Sequence, residues 1–169
     1  MNEIREIVTK AIVAKGKKVF NLKEEVPFDI IPYSILGVWI INHEFEATRV
    51  DEMVKISGNF EINVWYSSNN NEKTDILRHK VKYIKDIKTK QIVKEYLENT
   101  DDILAKIIKH PTCLNAKILN EHLELDIQFE ILAEIIGETK MQVTVFNTSD
   151  VYSIDDEIDA NVEELFLNT

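Results

Sequence analysis

Cysteine is all but missing from this 169-residue chain. Cys113 stands alone, so no internal disulfide can form and the fold does not depend on oxidation. Three prolines and four glycines are too few for a low-complexity linker, so nothing divides the chain into tethered parts. The glycines at positions 16, 37, 58 and 137 are scattered, which excludes a phosphate-cradling glycine loop. Positive charge is in deficit. With 20 Lys and Arg against 30 Asp and Glu, the net charge of −10 has the wrong sign for a general nucleic-acid binder. No apolar run is long enough to span a bilayer and no leading signal-like stretch is present, so the expected place is the cytoplasm, without membrane insertion. What remains is an ordinary globular composition, 44% hydrophobic, in a length that suits one well-buried core.

The best-specified stretch runs from Val54 to Ile87. Val54, Ile56, Phe60, Ile62, Val64 and Tyr66 alternate with Lys55, Ser57, Asn59, Glu61 and Asn63, the period of a strand with one buried face. A polar run from Ser67 to Thr74 follows, with three consecutive asparagines that tolerate turn geometry. The second arm turns Leu77, Val81, Tyr83 and Ile87 inward, with Arg78, Lys80 and Lys82 between them. This is a long β-hairpin.

Around it the signals are weaker. Ile4, Ile7, Val8, Ala11 and Ile12 are three and four apart, which predicts an amphipathic helix over 2–15. A strand from Ala11 through Leu22 competes with it; the favoured combination is a short helix followed by a strand. Pro27 and Pro32 mark a loop over 23–34. A strand over 35–47 then places Trp39, Ile41 and Phe45 on one face and turns into the hairpin near 48–52. Thr100, Asp101 and Asp102 cap a predicted helix over 103–109, with Ile103, Leu104, Ile107 and Ile108 as its stripe and Pro111 as its stop. Leu123, Leu125, Ile127, Phe129 and Ile131 alternate again, and a break at Gly137-Glu138 predicts a second hairpin continuing into Met141, Val143 and Val145. The fold class is mainly β: a single sandwich or partly closed barrel on long antiparallel hairpins, with one or two short helices. The β-rich domain covers 1–146, and an acidic amphipathic tail covers 147–169.

Candidate chemistry is sparse. His43-Glu44 opens like a zinc-protease helix, but position 47 is Ala and the context is a strand. His110 and Cys113 make half a zinc site at best, with His122 the other nearby donor; a loop histidine and a buried thiol account for them. The same pair lacks the context of a catalytic dyad, and no catalytic constellation is evident in the sequence. Trp65 points outward on the first hairpin arm, so either a second layer or a partner covers it. Arg78, Lys80, Lys82, Lys85, Lys88, Lys90 and Lys94 form a basic run, whose bland reading is a solvated edge guarded against stray pairing. The tail carries seven acidic residues and no basic one. Its Val151, Ile154, Ile158, Val162 and Leu165 recur at helical spacing, so it is either a flexible acidic tail or a docking segment that becomes helical on a partner.

Several strings resemble one family in order along nearly the whole chain. They are REIVTKAIVAKGKK, SILGVWIINHEFEA, INVWYSSNNNEKTDILRHKVKYI, HPTCLNAKI and LAEIIGETKMQVTV, and they resemble the outer spore coat morphogenetic protein E (CotE) family. The family's tail is typically longer and more acidic than this one. The resemblance implies a sporulation scaffold, without catalysis, cofactor or metal, made in the mother-cell cytoplasm and laid on the forespore surface. There it would self-associate as a homo-oligomer or polymer and recruit other spore coat and coat-anchoring morphogenetic proteins. Trp65, Arg78, Lys80 and Lys82 are the candidates for self-association; Ile154, Ile158, Val162 and Leu165 are the candidates for partner docking. The competing readings are a monomeric β-domain adaptor and a small-ligand-binding module seeded by His43, His79 or His122.

Overall fold

The computed structural model describes residues 3–146, and within them the chain is built of strands alone. The strands are β1 (Glu3–Pro27), β2 (Ser34–Val50), β3 (Met53–Ser68), β4 (Lys73–Lys88), β5 (Lys90–Gln91), β6 (Leu97–Ile118) and β7 (His122–Val145). They form two antiparallel sheets, one of four strands in the order β5-β1-β7-β6 and one of three in the order β2-β3-β4. The sheets stack face to face: β6 runs along β2, β1 along β4, and Phe129 of β7 meets Phe60 of β3 with ring centroids 6.3 Å apart. The fold is a sandwich, not a closed barrel.

The β3–β4 hairpin has the register its sequence dictates, from Met53 opposite Lys88 to Ser68 opposite Lys73. Val54, Ile56, Phe60, Ile62, Val64, Tyr66, Val81, Tyr83 and Ile87 are all buried. Asn69, Asn70 and Asn71 adopt φ of 50°, 54° and 69°, the left-handed region that asparagine enters more readily than most residues. One short polar triplet thus reverses two 16-residue strands.

Both expected helices are strands. In β1 the residues spaced like a helix divide between two faces: Ile4, Val8 and Ile12 are exposed on one, Ile7 and Ala11 are partly covered on the other. In β6, Ile103 and Ala105 pack against the core and Ile107 is partly covered, while Leu104 and Ile108 are exposed. A separation of four satisfies both the helical and the two-residue period, so the sequence pattern was ambiguous there. Pro111 stops nothing. It lies inside β6, an edge strand, where the pairing with β7 shifts between Lys109 and Thr112, a place that tolerates a missing N–H.

Two further expectations fail for related reasons. Gly137 does not break the chain: it lies opposite Ala11 in an unbroken β7, so no second hairpin forms within 122–145. The loop at the prolines is shorter than expected, because β1 continues to Pro27. In β2, Trp39 and Ile41 do not share a face with Phe45. The β2–β3 register shifts between Ile41 and Glu44, and Asn42 sits in the bulge with φ of 53°. One extra residue inverts the alternation, so Val38 and Ile40 before the bulge, and Phe45 and Ala47 after it, pack on the core. Trp39 and Ile41 are left on the outside.

The middle of the core is aromatic. Phe129 packs on Phe20 at 5.1 Å and on Tyr83 at 4.9 Å between centroids, and His43 reaches the same cluster, 5.6 Å from Phe129. His43 Nε2 and the Tyr83 hydroxyl are hydrogen-bonded at 2.6 Å. Gly58 makes room for that ring: a Cβ there would lie 2.5 Å from the Tyr83 oxygen and 2.8 Å from the Glu44 carbonyl oxygen. Its φ is not positive, so it is needed for space and not for backbone freedom. At the sandwich's edge Gly16 does the same for the Lys88 carbonyl, which allows β1 to press against the end of β4.

Candidate interaction surface

The two outer faces differ in how their charges are used. On the four-stranded sheet, acids of β7 are flanked by lysines of β1 and β6: Lys23 meets Glu124 at 3.1 Å, Lys17 meets Glu130 at 3.4 Å and Lys106 meets Glu134 at 3.4 Å. Such exposed pairs contribute only ~0–1 kcal/mol each, but they leave that face mutually neutralised. On the three-stranded sheet, Arg78, Lys80 and Lys82 make no ion pair with any described residue.

The registers place these cations beside an aromatic patch. Successive cross-strand rows on the outer face read Gly37–Trp65–Ile76, Trp39–Asn63–Arg78, Ile41–Glu61–Lys80 and Glu44–Asn59–Lys82. Apolar groups thus occupy the β2 side as far as Ile41, with Glu44 beyond them, and the cations line β4, a sheet edge, with Glu61 of β3 across from Lys80 but in no ion pair with it. The Trp39 ring folds over Gly37, whose added Cβ would come within 2.6 Å of it. Trp39 and Trp65 meet edge to face, 76° between planes and 6.2 Å between centroids. Even so, Trp39 is 53% and Trp65 42% exposed, and no described element forms a second layer over them. Trp65 and Arg78 line one shallow depression with Thr74, Asp75 and Ile76.

The sequence pointed to Trp65, Arg78, Lys80 and Lys82, and all four lie on this one face; Lys85, by contrast, points inward. Sequence reasoning missed Trp39, because the bulge hid its true side. The available signal is Asn42, a residue suited to positive φ in the middle of a strand pattern. Ile154, Ile158, Val162 and Leu165 lie outside the described residues.

The histidines and the cysteine are placed separately. Burial, with a smaller contribution from nearby His110, holds the His43 imidazole below its ordinary pKa, and its Nδ1 is buried without a hydrogen-bond partner. Burial pushes the Tyr83 hydroxyl up to about 12, so it keeps its proton at neutral pH. His79 faces the half-buried Glu24, whose carboxyl is pushed up by burial and held back by His79 and Lys85. His122 comes within 3.9 Å of Glu25. His110 is exposed, and both it and Cys113 belong to β6 and not to a loop. Cys113 is half-buried; burial raises its thiol pKa against a smaller opposing hydrogen bond from the Asn115 backbone, and the thiol donates to the Asn115 carbonyl at 3.2 Å. Among the described residues no group of three or more His, Cys, Asp or Glu is arranged to hold a metal ion, and no helix is long and apolar enough to cross a membrane.

No curated protein and no solved structure matches the chain significantly. A family model does: that of outer spore coat protein E (CotE) matches residues 3–167. Covering nearly the entire sequence, that match shows that the chain belongs to the outer spore coat protein E (CotE) family.

Proposed function

We propose that this spore coat protein is a structural scaffold that self-associates on the forespore surface and recruits other coat proteins. The supporting observation is the outer face of the three-stranded sheet. There two partly exposed tryptophans stand beside three cations that have no partner among the described residues. Tryptophan and arginine are the residue types over-represented at energetic centres of protein interfaces, and a sheet face carrying both in one depression is suited to a protein partner. A second adhesive feature is the open edge of β1. β5 pairs only with Ala14 and Lys15, so Glu3–Ile12 presents unpaired backbone groups on that side among the described residues.

On this reading the protein is made in the mother-cell cytoplasm, performs no catalysis, and binds coat-anchoring proteins beneath it and client proteins above it. A monomeric adaptor is the rival. Sedimentation velocity of the full chain over a wide concentration range separates the two. The scaffold requires the mean mass to climb with concentration, and a single monomeric species up to the highest soluble concentration refutes it.

A further inference from the structure

We infer that the acidic C-terminal segment of one copy docks on the outer face of the three-stranded sheet of the next copy, linking molecules head to tail. This rests on the self-association reading and names the two surfaces that carry it.

The two surfaces match in composition and spacing. Residues 147–169 hold seven acids and no base, while Arg78, Lys80 and Lys82 have no acidic partner among the described residues. Docked as a helix, the segment would align Ile154, Ile158, Val162 and Leu165 in one stripe, with Asp155, Asp159 and Glu163 in a second stripe beside it. The sheet presents the complementary arrangement: Trp39, Ile41, Trp65 and Ile76 beside a line of three cations. Acids four apart on a helix are separated by ~6 Å along its axis, and cations two apart on a strand by ~6.6 Å, so three can face three.

Reach decides that the contact lies between copies. Phe129 of β7 sits against Phe60 of β3. Gly16, opposite Ala133, sits beneath Lys88, which pairs with Met53. Going from Phe129 toward Phe146 therefore leads away from Trp65, which lies on the far side of Phe60. With 17 strand residues one way and five the other, the rise of the strands separates Phe146 from Trp65 by roughly 70 Å. Ile154 is eight residues beyond Phe146 and can stray no more than ~28 Å from it; the docked helix carries Leu165 only ~17 Å further, while the nearer Ile41 and Lys80 row, level with Glu61, lies roughly 59 Å from Phe146 by the same strand rise. The apolar stripe cannot cover its own molecule's patch. A contact between different surfaces of neighbouring copies leaves one free segment and one free face at the ends of every chain of copies, so it propagates until the rotation between neighbours closes a ring.

The test uses two full-length variants and their mixture. Ile154→Asp/Ile158→Asp spoils the segment and leaves the sheet face intact. Arg78→Glu/Lys80→Glu/Lys82→Glu spoils the sheet face and leaves the segment intact. All these positions lie on outer faces or beyond the described core, and unfolding midpoints check that each variant folds. Each variant alone should need about tenfold more protein than wild type to assemble. Mixed, they retain one good segment and one good face between them, so they should form pairs and stop there. Adding Asp155→Lys/Asp159→Lys/Glu163→Lys to the sheet variant should restore long assemblies. If wild type assembles and both single variants do so equally well, the docking inference fails while the scaffold reading survives, and the open β1 edge becomes the adhesive. If the mixture stays monomeric and the charge exchange rescues nothing, the inference fails as well.

Discussion

Gly58→Ala offers the sharpest test of how the core is packed, since it adds a single methyl group at a position where Gly is not required by φ. In a strand this change ordinarily stabilises by ~0.5–1 kcal/mol, because alanine loses less backbone freedom on folding. Here the new Cβ would sit 2.5 Å from the Tyr83 oxygen, 2.6 Å from its Cζ and 2.8 Å from the Glu44 carbonyl oxygen. Two of these atoms belong to a rigid buried ring and the third to backbone, so neither neighbour yields cheaply. Overpacking of this kind destabilises by ~1–3 kcal/mol. Moving the ring also stretches the 2.6 Å bond to His43, whose Nδ1 already lacks a partner; stranding a second buried polar atom adds ~1–3 kcal/mol. Setting these against the strand gain leaves a net loss of ~1–5.5 kcal/mol. For a chain of this size that lowers Tm by roughly 2–22 °C. Urea unfolding at a concentration that keeps the protein monomeric measures the loss directly. Repeating the measurement in a Tyr83→Leu background should shrink the effect, because the ring that clashes is gone. A Gly58→Ala protein as stable as wild type, or an equal loss in both backgrounds, would refute the argument that Gly58 exists to seat Tyr83.

Three other outcomes follow from particular contacts. Phe129→Ala should destabilise by ~3–5 kcal/mol in the same urea assay, since it empties the centre of the aromatic cluster. At the β2 bulge, Asn42→Gly should change stability by less than ~0.5 kcal/mol and Asn42→Val should cost ~1–2 kcal/mol, because φ of 53° excludes a branched side chain. His43 has a folded pKa below its unfolded value; the unfolded chain therefore binds the proton more readily. The stability due to neutral His43 is complete above the ordinary histidine range and is lost as pH falls from there through the depressed folded value. Urea midpoints measured between about pH 7.5 and 5 should fall, and a His43→Gln variant should flatten that fall.

Much of this molecule was legible because a long strand facing one continuous core repeats every two residues without interruption. The β3–β4 hairpin, its asparagine turn and the first half of β7 obey that rule, so residue types alone determined which side chains are buried. The outward placement of Trp65, Arg78, Lys80 and Lys82 was legible on the same grounds. The sequence also determined that the fold needs no disulfide and that opposite charge is concentrated in separate segments. Tertiary structure decided the rest wherever the period alone was degenerate or broken. The residues over 2–15 and 103–109 match helix and strand equally in their four-residue separations, and only pairing to β7 made them strands. Trp39 was misplaced because one residue, Asn42, is counted out of the ladder, and an odd insertion moves every side chain before it to the opposite face. That inversion brings Trp39 to Trp65; residue spacing does not contain it, because the period of two is blind to a residue counted out of the ladder, and Asn42, suited to positive φ, is its one mark in the sequence.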